Sequence, residues 1–183
     1  VKNLNHPWGM AFLPDGRLLI TERPGRLRIY ANGKLSAPVS GIPDVYANGQ
    51  GGLLDVEIDP DFAKNRFVYL GYSEAGTDGL AGTVVMRGKL NGNALQNAQI
   101  LFRQMPKLSS GAHFGSRLVF DKSGHLFVTL GENNNRITAQ FLDHHQGKVV
   151  RIKPDGSIPK DNPFIGNTNA KPEIWSYGHR NPQ

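Results

Sequence analysis

The residues best suited to chemistry are a histidine in a glycine-bearing loop and an acid at the far end of the hairpin that follows it. His113 opens the run His113-Phe-Gly-Ser-Arg117, just before a predicted strand, and Glu132 follows Gly131 where the hairpin ends. Histidine titrates near neutral pH and so suits general-base work, provided a second group orients the ring; a carboxylate does this. By its chemistry alone, His113 also reads as a surface-loop histidine. A second candidate run is Asn48-Gly-Gln-Gly-Gly-Leu53. Its glycines let backbone approach a ligand closely, and Gln50 offers an amide. No Lys-Ser/Thr pair follows, so it is not a phosphate loop; a tight connection between sheets is the plainer alternative. The third is Gly178-His-Arg-Asn-Pro182. Arg180 presents a planar fork of donors that matches carboxylates, and Asn181 adds a donor and an acceptor, although a capping turn uses the same residues.

Other polar groups carry less. Asp59-Pro60-Asp61 lacks the spacing and the glutamate of a calcium loop and reads as a hairpin turn. Asp143, His144 and His145 are adjacent, and successive residues of a strand face opposite ways, so one shared metal is awkward. His6, His125 and His179 have no evident partner in the sequence. Trp8 and Trp175 read as core or interface aromatics.

The elements that must hold these residues are short. Trp8–Leu13, the turn at Pro14-Asp15-Gly16 and Arg17–Thr21 read as strand, turn and strand. Arg26–Tyr30 follows, with an Asn32-Gly33 turn. The pattern recurs as Leu53–Ile58 with Arg66–Tyr72, as Arg117–Phe120 with His125–Leu130, and as Lys148–Ile152. The turn acids Asp15 and Asp59 lie about one propeller blade apart, roughly 40–45 residues. The longer interval to Asp121 calls for an insertion, which residues 74–110 would supply. A further unit is predicted to open at Glu173–Tyr177. No stretch keeps a helical period beyond two turns, apart from a predicted short helical turn at Thr138–Asp143. The expected fold is therefore all-β: about three blades of a β-propeller and the start of a fourth. Loops on one face of such a disc converge on its axis, which would bring the three candidate runs together.

Composition agrees. The chain has 183 residues, 38% of them hydrophobic and 20% charged, with 22 glycines and 12 prolines that suit a turn-rich fold. There is no cysteine, which excludes disulfides, thiolate-bound zinc and thiol catalysis. No apolar run has the roughly 18 residues of a membrane helix. The net charge of +6 comes from scattered Lys and Arg with no basic run, the pattern of a solvated surface rather than of a nucleic-acid site.

Taken in order, these segments resemble the soluble glucose and aldose sugar dehydrogenases that use pyrroloquinoline quinone (PQQ), also called glucose/sorbosone dehydrogenases. The resemblance rests on His6-Pro-Trp-Gly-Met-Ala-Phe-Leu-Pro-Asp-Gly16, Gly49-Gln-Gly-Gly-Leu-Leu-Asp55, Asp61-Phe62 with Asn65-Arg66, His113-Phe-Gly-Ser-Arg117, Gly131-Glu-Asn133, Gly147-Lys148 and Tyr177-Gly-His-Arg-Asn-Pro-Gln183. It implies a six-bladed propeller of which residues 1–183 are the N-terminal half of a single domain. It implies His113 as general base, Glu132 as the acid that orients it, and Gln50, Arg180 and Asn181 as quinone contacts, with Arg180 also stabilising charge in catalysis. It further implies oxidation of an aldose at its anomeric carbon to a lactone, hydride transfer to PQQ, a calcium ion whose ligands lie beyond Gln183, an external electron acceptor, and a periplasmic or secreted location. Glu132 is one methylene longer than the Asp of the glucose enzymes, and Ala112 is apolar where some relatives are polar; both bear on substrate range. Two other functions use the same architecture. A calcium-dependent lactone hydrolase would need several carboxylate and Asn metal ligands around the channel, and a non-catalytic binding propeller would need no His113–Glu132 pair.

Overall fold

A computed structural model describes residues 1–183. Twelve strands form three four-stranded antiparallel sheets, each filled in chain order from the inside outward. The first sheet comprises β1 (Pro7–Phe12), β2 (Leu18–Glu22), β3 (Arg26–Ala31) and β4 (Lys34–Leu35); the second, β5 (Leu53–Ile58), β6 (Phe67–Ala75), β7 (Ala81–Asn91) and β8 (Ala94–Arg103); the third, β9 (Leu118–Phe120), β10 (Leu126–Thr129), β11 (Lys148–Ile152) and β12 (Ile174–Tyr177). The sheets are blades of a β-propeller, with the inner strands β1, β5 and β9 packed side by side. Asn32 and Gly33 both have positive φ, 49° and 76°, as the tight β3–β4 hairpin requires.

The second sheet is buried on both faces, and strand alternation explains how. One face of β6 and β7 supplies Val68, Leu70, Tyr72, Val84 and Met86 to a core shared with Leu19, Leu27 and Leu53. The other face supplies Tyr69 and Val85 to a second core with Leu118, Leu126, Val128 and Val150. Each such fully buried aliphatic side chain contributes about 1.5–3 kcal/mol. The sheets are also tied through polar groups. Asp55 of β5 accepts from Arg117 Nη1 and from the Leu118 N–H, both at 2.8 Å, and Thr21 Oγ1 of β2 donates to the Leu54 carbonyl.

Three expectations need correction. Residues 74–110 are not an insertion into the second unit, because most of them form β7 and β8, the long outer strands of its own sheet. Ile174–Tyr177 does not open a new unit; it pairs with β11 and completes the third sheet. Beyond it the chain passes back to the end of β10, where the Pro182 carbonyl accepts from Thr129 Oγ1 at 2.8 Å. The helical turn lies slightly earlier than expected, as a 3₁₀ helix over Arg136–Gln140, and a one-turn helix, α1 (Phe62–Asn65), follows the Asp59 turn.

Candidate active site

The three candidate runs meet at one end of the sheets. Residues 48–52 lead into β5, residues 113–117 lead into β9, Gly131 and Glu132 follow β10, and residues 178–183 follow β12. Hydrogen bonds join all three. The His113 N–H donates to Gln50 Oε1 at 2.9 Å, and the Gln50 N–H donates to the Gly111 carbonyl at 2.7 Å. The Gly115 N–H donates to Asn181 Oδ1 at 3.0 Å, and the Glu132 N–H donates to the Arg180 carbonyl at 2.9 Å.

At the centre, His113 Nδ1 lies 3.1 Å from Glu132 Oε1, with the glutamate side chain only 2% exposed. Their alignment falls short of a full hydrogen bond, and neither buried atom has another partner; proximity and burial make each the other's natural partner. Arg180 Nε stands 4.0 Å from the same oxygen, and its side chain is 68% exposed. The second carboxylate oxygen of Glu132 accepts from the Asn134 N–H, which fixes the plane of the group.

The backbone brings these side chains together at a conformational cost. His113 and Ser116 sit at φ of 56° and 83°, a region that L-residues seldom occupy. Close backbone approach helps hold them there: a Cβ on Gly131 would come within 1.8 Å of the His113 carbonyl oxygen. The site also includes residues with no role evident from sequence. Buried Asn133 donates through Nδ2 to the Ala112 and His113 carbonyls, each at 3.2 Å. Behind it, Gln104 Nε2 donates to Asn133 Oδ1 at 2.6 Å while its Oε1 accepts from the Thr83 N–H at 3.0 Å. Thr83 Oγ1 donates to the Phe114 carbonyl at 2.6 Å.

Beside Glu132 is a cavity of about 340 Å³, bordered by Arg136, Gln140, His179 and Arg180. Lys148 lies fully buried next to the 3₁₀ helix that borders it and donates to the Thr138, Ala139 and Gln146 carbonyls at 3.1, 3.0 and 2.7 Å. Burial pushes its ammonium down to about 8, opposed by the charge of Asp143. Burial likewise raises the Asp55 carboxyl, against the pull of the Leu118 N–H and Arg117.

The remaining histidines have partners that the sequence did not reveal. His6 meets Asn5, His125 meets Asp121, and His179 Nε2 lies 2.5 Å from Ser176 Oγ. His145 is buried between the Met105 N–H and Glu173, while His144 faces Asp143. The two adjacent histidines thus serve different partners and share no ligand position. No group of three His, Asp or Glu side chains is arranged to hold a metal. Trp8 and Trp175 each stack under an arginine, Arg117 and Arg151.

Comparison with known proteins gives this geometry a family. The profile of the Glucose / Sorbosone dehydrogenase family matches residues 4–183. The aldose sugar dehydrogenase YliI of Escherichia coli is 59% identical over 98% of this chain and 50% of its own. The crystal structure of the soluble E. coli aldose sugar dehydrogenase, in its apo form, superposes with a TM-score of 0.96 over 98% of this chain and 53% of its own. The PQQ-bound aldose sugar dehydrogenase of Streptomyces coelicolor, 31% identical, superposes at 0.81 over 98% and 52%. The chain spans about half the length of the curated relatives it matches. It belongs to the glucose/sorbosone dehydrogenase family.

Proposed function

We propose that this chain is the N-terminal half of a single six-bladed propeller domain that oxidises aldoses at the anomeric carbon with PQQ, and that His113, Glu132 and Arg180 are its catalytic residues. The observation that carries the reading is the buried His113–Glu132 pair with the exposed Arg180 guanidinium beside it.

The donor set fits the quinone. The amide oxygens of Gln50 and Asn181 accept backbone N–H groups, so each side chain turns its NH₂ outward as a donor. With Arg180, they supply three donor groups on the loops around His113 and Glu132, suited to an oxygen-rich anionic cofactor. PQQ, when bound, supplies the two-electron acceptor for the hydride that leaves the anomeric carbon.

The protein's own part is proton handling and charge. With its Nδ1 proton directed at Glu132, His113 keeps a lone pair on Nε2 and takes the proton of the anomeric hydroxyl there. Glu132 orients the ring and stabilises the imidazolium that results, a role worth roughly 10²–10⁴ in rate when combined with the base. Arg180 offsets negative charge that develops next to the reacting carbon. The product is the lactone, and the electrons leave to an external acceptor. Calcium belongs to the proposal with ligands beyond Gln183, and the location proposed is periplasmic or secreted.

The test is a PQQ titration with excess Ca²⁺ on the full-length gene product, followed by dye-linked oxidation of several aldoses. Saturable binding with sugar-dependent dye reduction, lost in His113→Gln with binding retained, is the expected result. A folded protein that binds no quinone and oxidises no aldose would refute the proposal and leave the binding-propeller function.

A further inference from the structure

We propose that Asn133, backed by Gln104, is the positioning residue that sets the His113 ring against Glu132. This inference rests on the catalytic reading of His113 for its consequence in turnover, but not for its structural content.

His113 holds a left-handed backbone conformation, φ 56°, without being glycine. Such a residue needs its surroundings to over-determine it. The His113 N–H is fixed by Gln50, and two residues further on Asn181 holds the Gly115 N–H. The carbonyl side depends on Asn133, whose single NH₂ group bridges the carbonyls of Ala112 and His113. The Asn133 N–H also points to the His113 carbonyl, at 3.4 Å. The residue next in sequence is Glu132, so the same side chain links the base's backbone directly to that of its carboxylate partner.

Asn133 is itself held in one orientation. Gln104 Oε1 accepts the Thr83 N–H, which leaves Gln104 Nε2 to donate to Asn133 Oδ1. Asn133 Oδ1 is therefore the acceptor, and its NH₂ must face the loop. Gln104 is completely buried and Asn133 is 3% exposed, so water cannot take over either role. The chain of amides runs from the second sheet into the loop before the third. It transfers the rigidity of β7 to a residue that would otherwise sit on a flexible connection.

The test replaces donors without changing size. Asn133→Asp keeps the oxygen that Gln104 contacts and sets a second oxygen against the Ala112 and His113 carbonyls. Gln104→Glu removes the outer donor without touching His113. Both are made in the full-length gene product. In the apo protein, ¹⁵N-histidine NMR, with His113 assigned by its loss in His113→Gln, reads the ring tautomer and its titration. Expected are a shift of the His113 ring signals away from one dominant tautomer in Asn133→Asp and a smaller shift of the same sense in Gln104→Glu. Turnover should then fall about tenfold or more in kcat, with the aldose KM within about twofold. Unchanged His113 signals in either folded variant overturn the inference, whatever the activity. A wild type that oxidises no aldose refutes the proposed function instead, and the NMR result still decides the role of Asn133. If Asn133→Asp fails to fold, Gln104→Glu decides alone.

Discussion

Replacing Gly131 by alanine should cripple the site while leaving the three sheets folded. The added Cβ would lie 1.8 Å from the His113 carbonyl oxygen and 2.3 Å from its carbon, where real Cβ contacts under 3.0 Å essentially do not occur. The loop or the strand end must therefore yield by about 1.2 Å, because both obstructing atoms are backbone and no flexible side chain can absorb the overlap. The displaced atoms belong to His113, the proposed base, and the residue after Gly131 is Glu132, its proposed carboxylate partner. A misplacement of about 1 Å at a reacting group costs about 10²-fold in rate, and overpacking of this kind about 1–3 kcal/mol in stability. The assay is dye-linked aldose oxidation by the PQQ-loaded full-length protein, beside a urea melt of the same preparation. A decline of about a hundredfold in kcat with a lowered but cooperative unfolding midpoint is expected. Activity within about threefold of wild type would show that the contact between Gly131 and His113 does not set the geometry of the base, and the reasoning would fall.

Glu132→Gln keeps the shape of the carboxylate and removes its charge. It is expected to lower kcat by about 10²-fold and leave the aldose KM nearly unchanged, as steady-state kinetics would read. Lys148→Met tests the buried ammonium through pH. A lysine whose folded value is about 8, below its ordinary 10.5, binds fewer protons in the folded state than in the unfolded one between those limits. Its burial therefore costs stability below pH 8, and the cost is relieved as pH rises toward 10.5. The three carbonyls favour the ammonium and reduce the effect, so the wild type should gain at most about 3 kcal/mol over that window relative to Lys148→Met. Chemical denaturation of both proteins at pH 7 to 10.5 reads the difference, and parallel curves would contradict it. The substitution should also loosen the 3₁₀ helix beside the cavity, since the Thr138 and Ala139 carbonyls of that helix lose the ammonium that ties them to β11.

The sequence was most informative where one face of a strand is buried and the turn after it is chemically specific. Leu53–Ile58 and Lys148–Ile152 coincide with β5 and β11, because their apolar runs are bounded by residues that turn. The outer half of the second sheet was illegible for a physical reason. Most of β8 is exposed, so no apolar alternation marks it, and β7 carries Gly82 and Gly88, which usually weaken a strand. Gly88 is there for space, since a Cβ would meet Leu95 Cγ at 2.7 Å. Strand β12 reads as the start of a new unit because residues 153–173 separate it from β11 without regular structure. The candidate site divides in the same way. His113 and Glu132 were found because they flank one hairpin, so a local reading could pair them. Gln50, Arg180 and Asn181 stand out by their donor chemistry, but only the family resemblance implies a quinone role for them; hydrogen bonds to backbone then join their runs to the loops of His113 and Glu132. Asn133 enters the sequence reading only as the end of the Gly131-Glu-Asn133 run, with no role of its own, and Gln104, before a Met-Pro pair, has no local signature. What distinguishes them is complete burial with every amide atom committed, a property of three segments packed together. Residues that touch substrate can be sought by their chemistry, whereas residues that hold them in place become visible only when the hydrogen bonds of buried groups are followed to their ends.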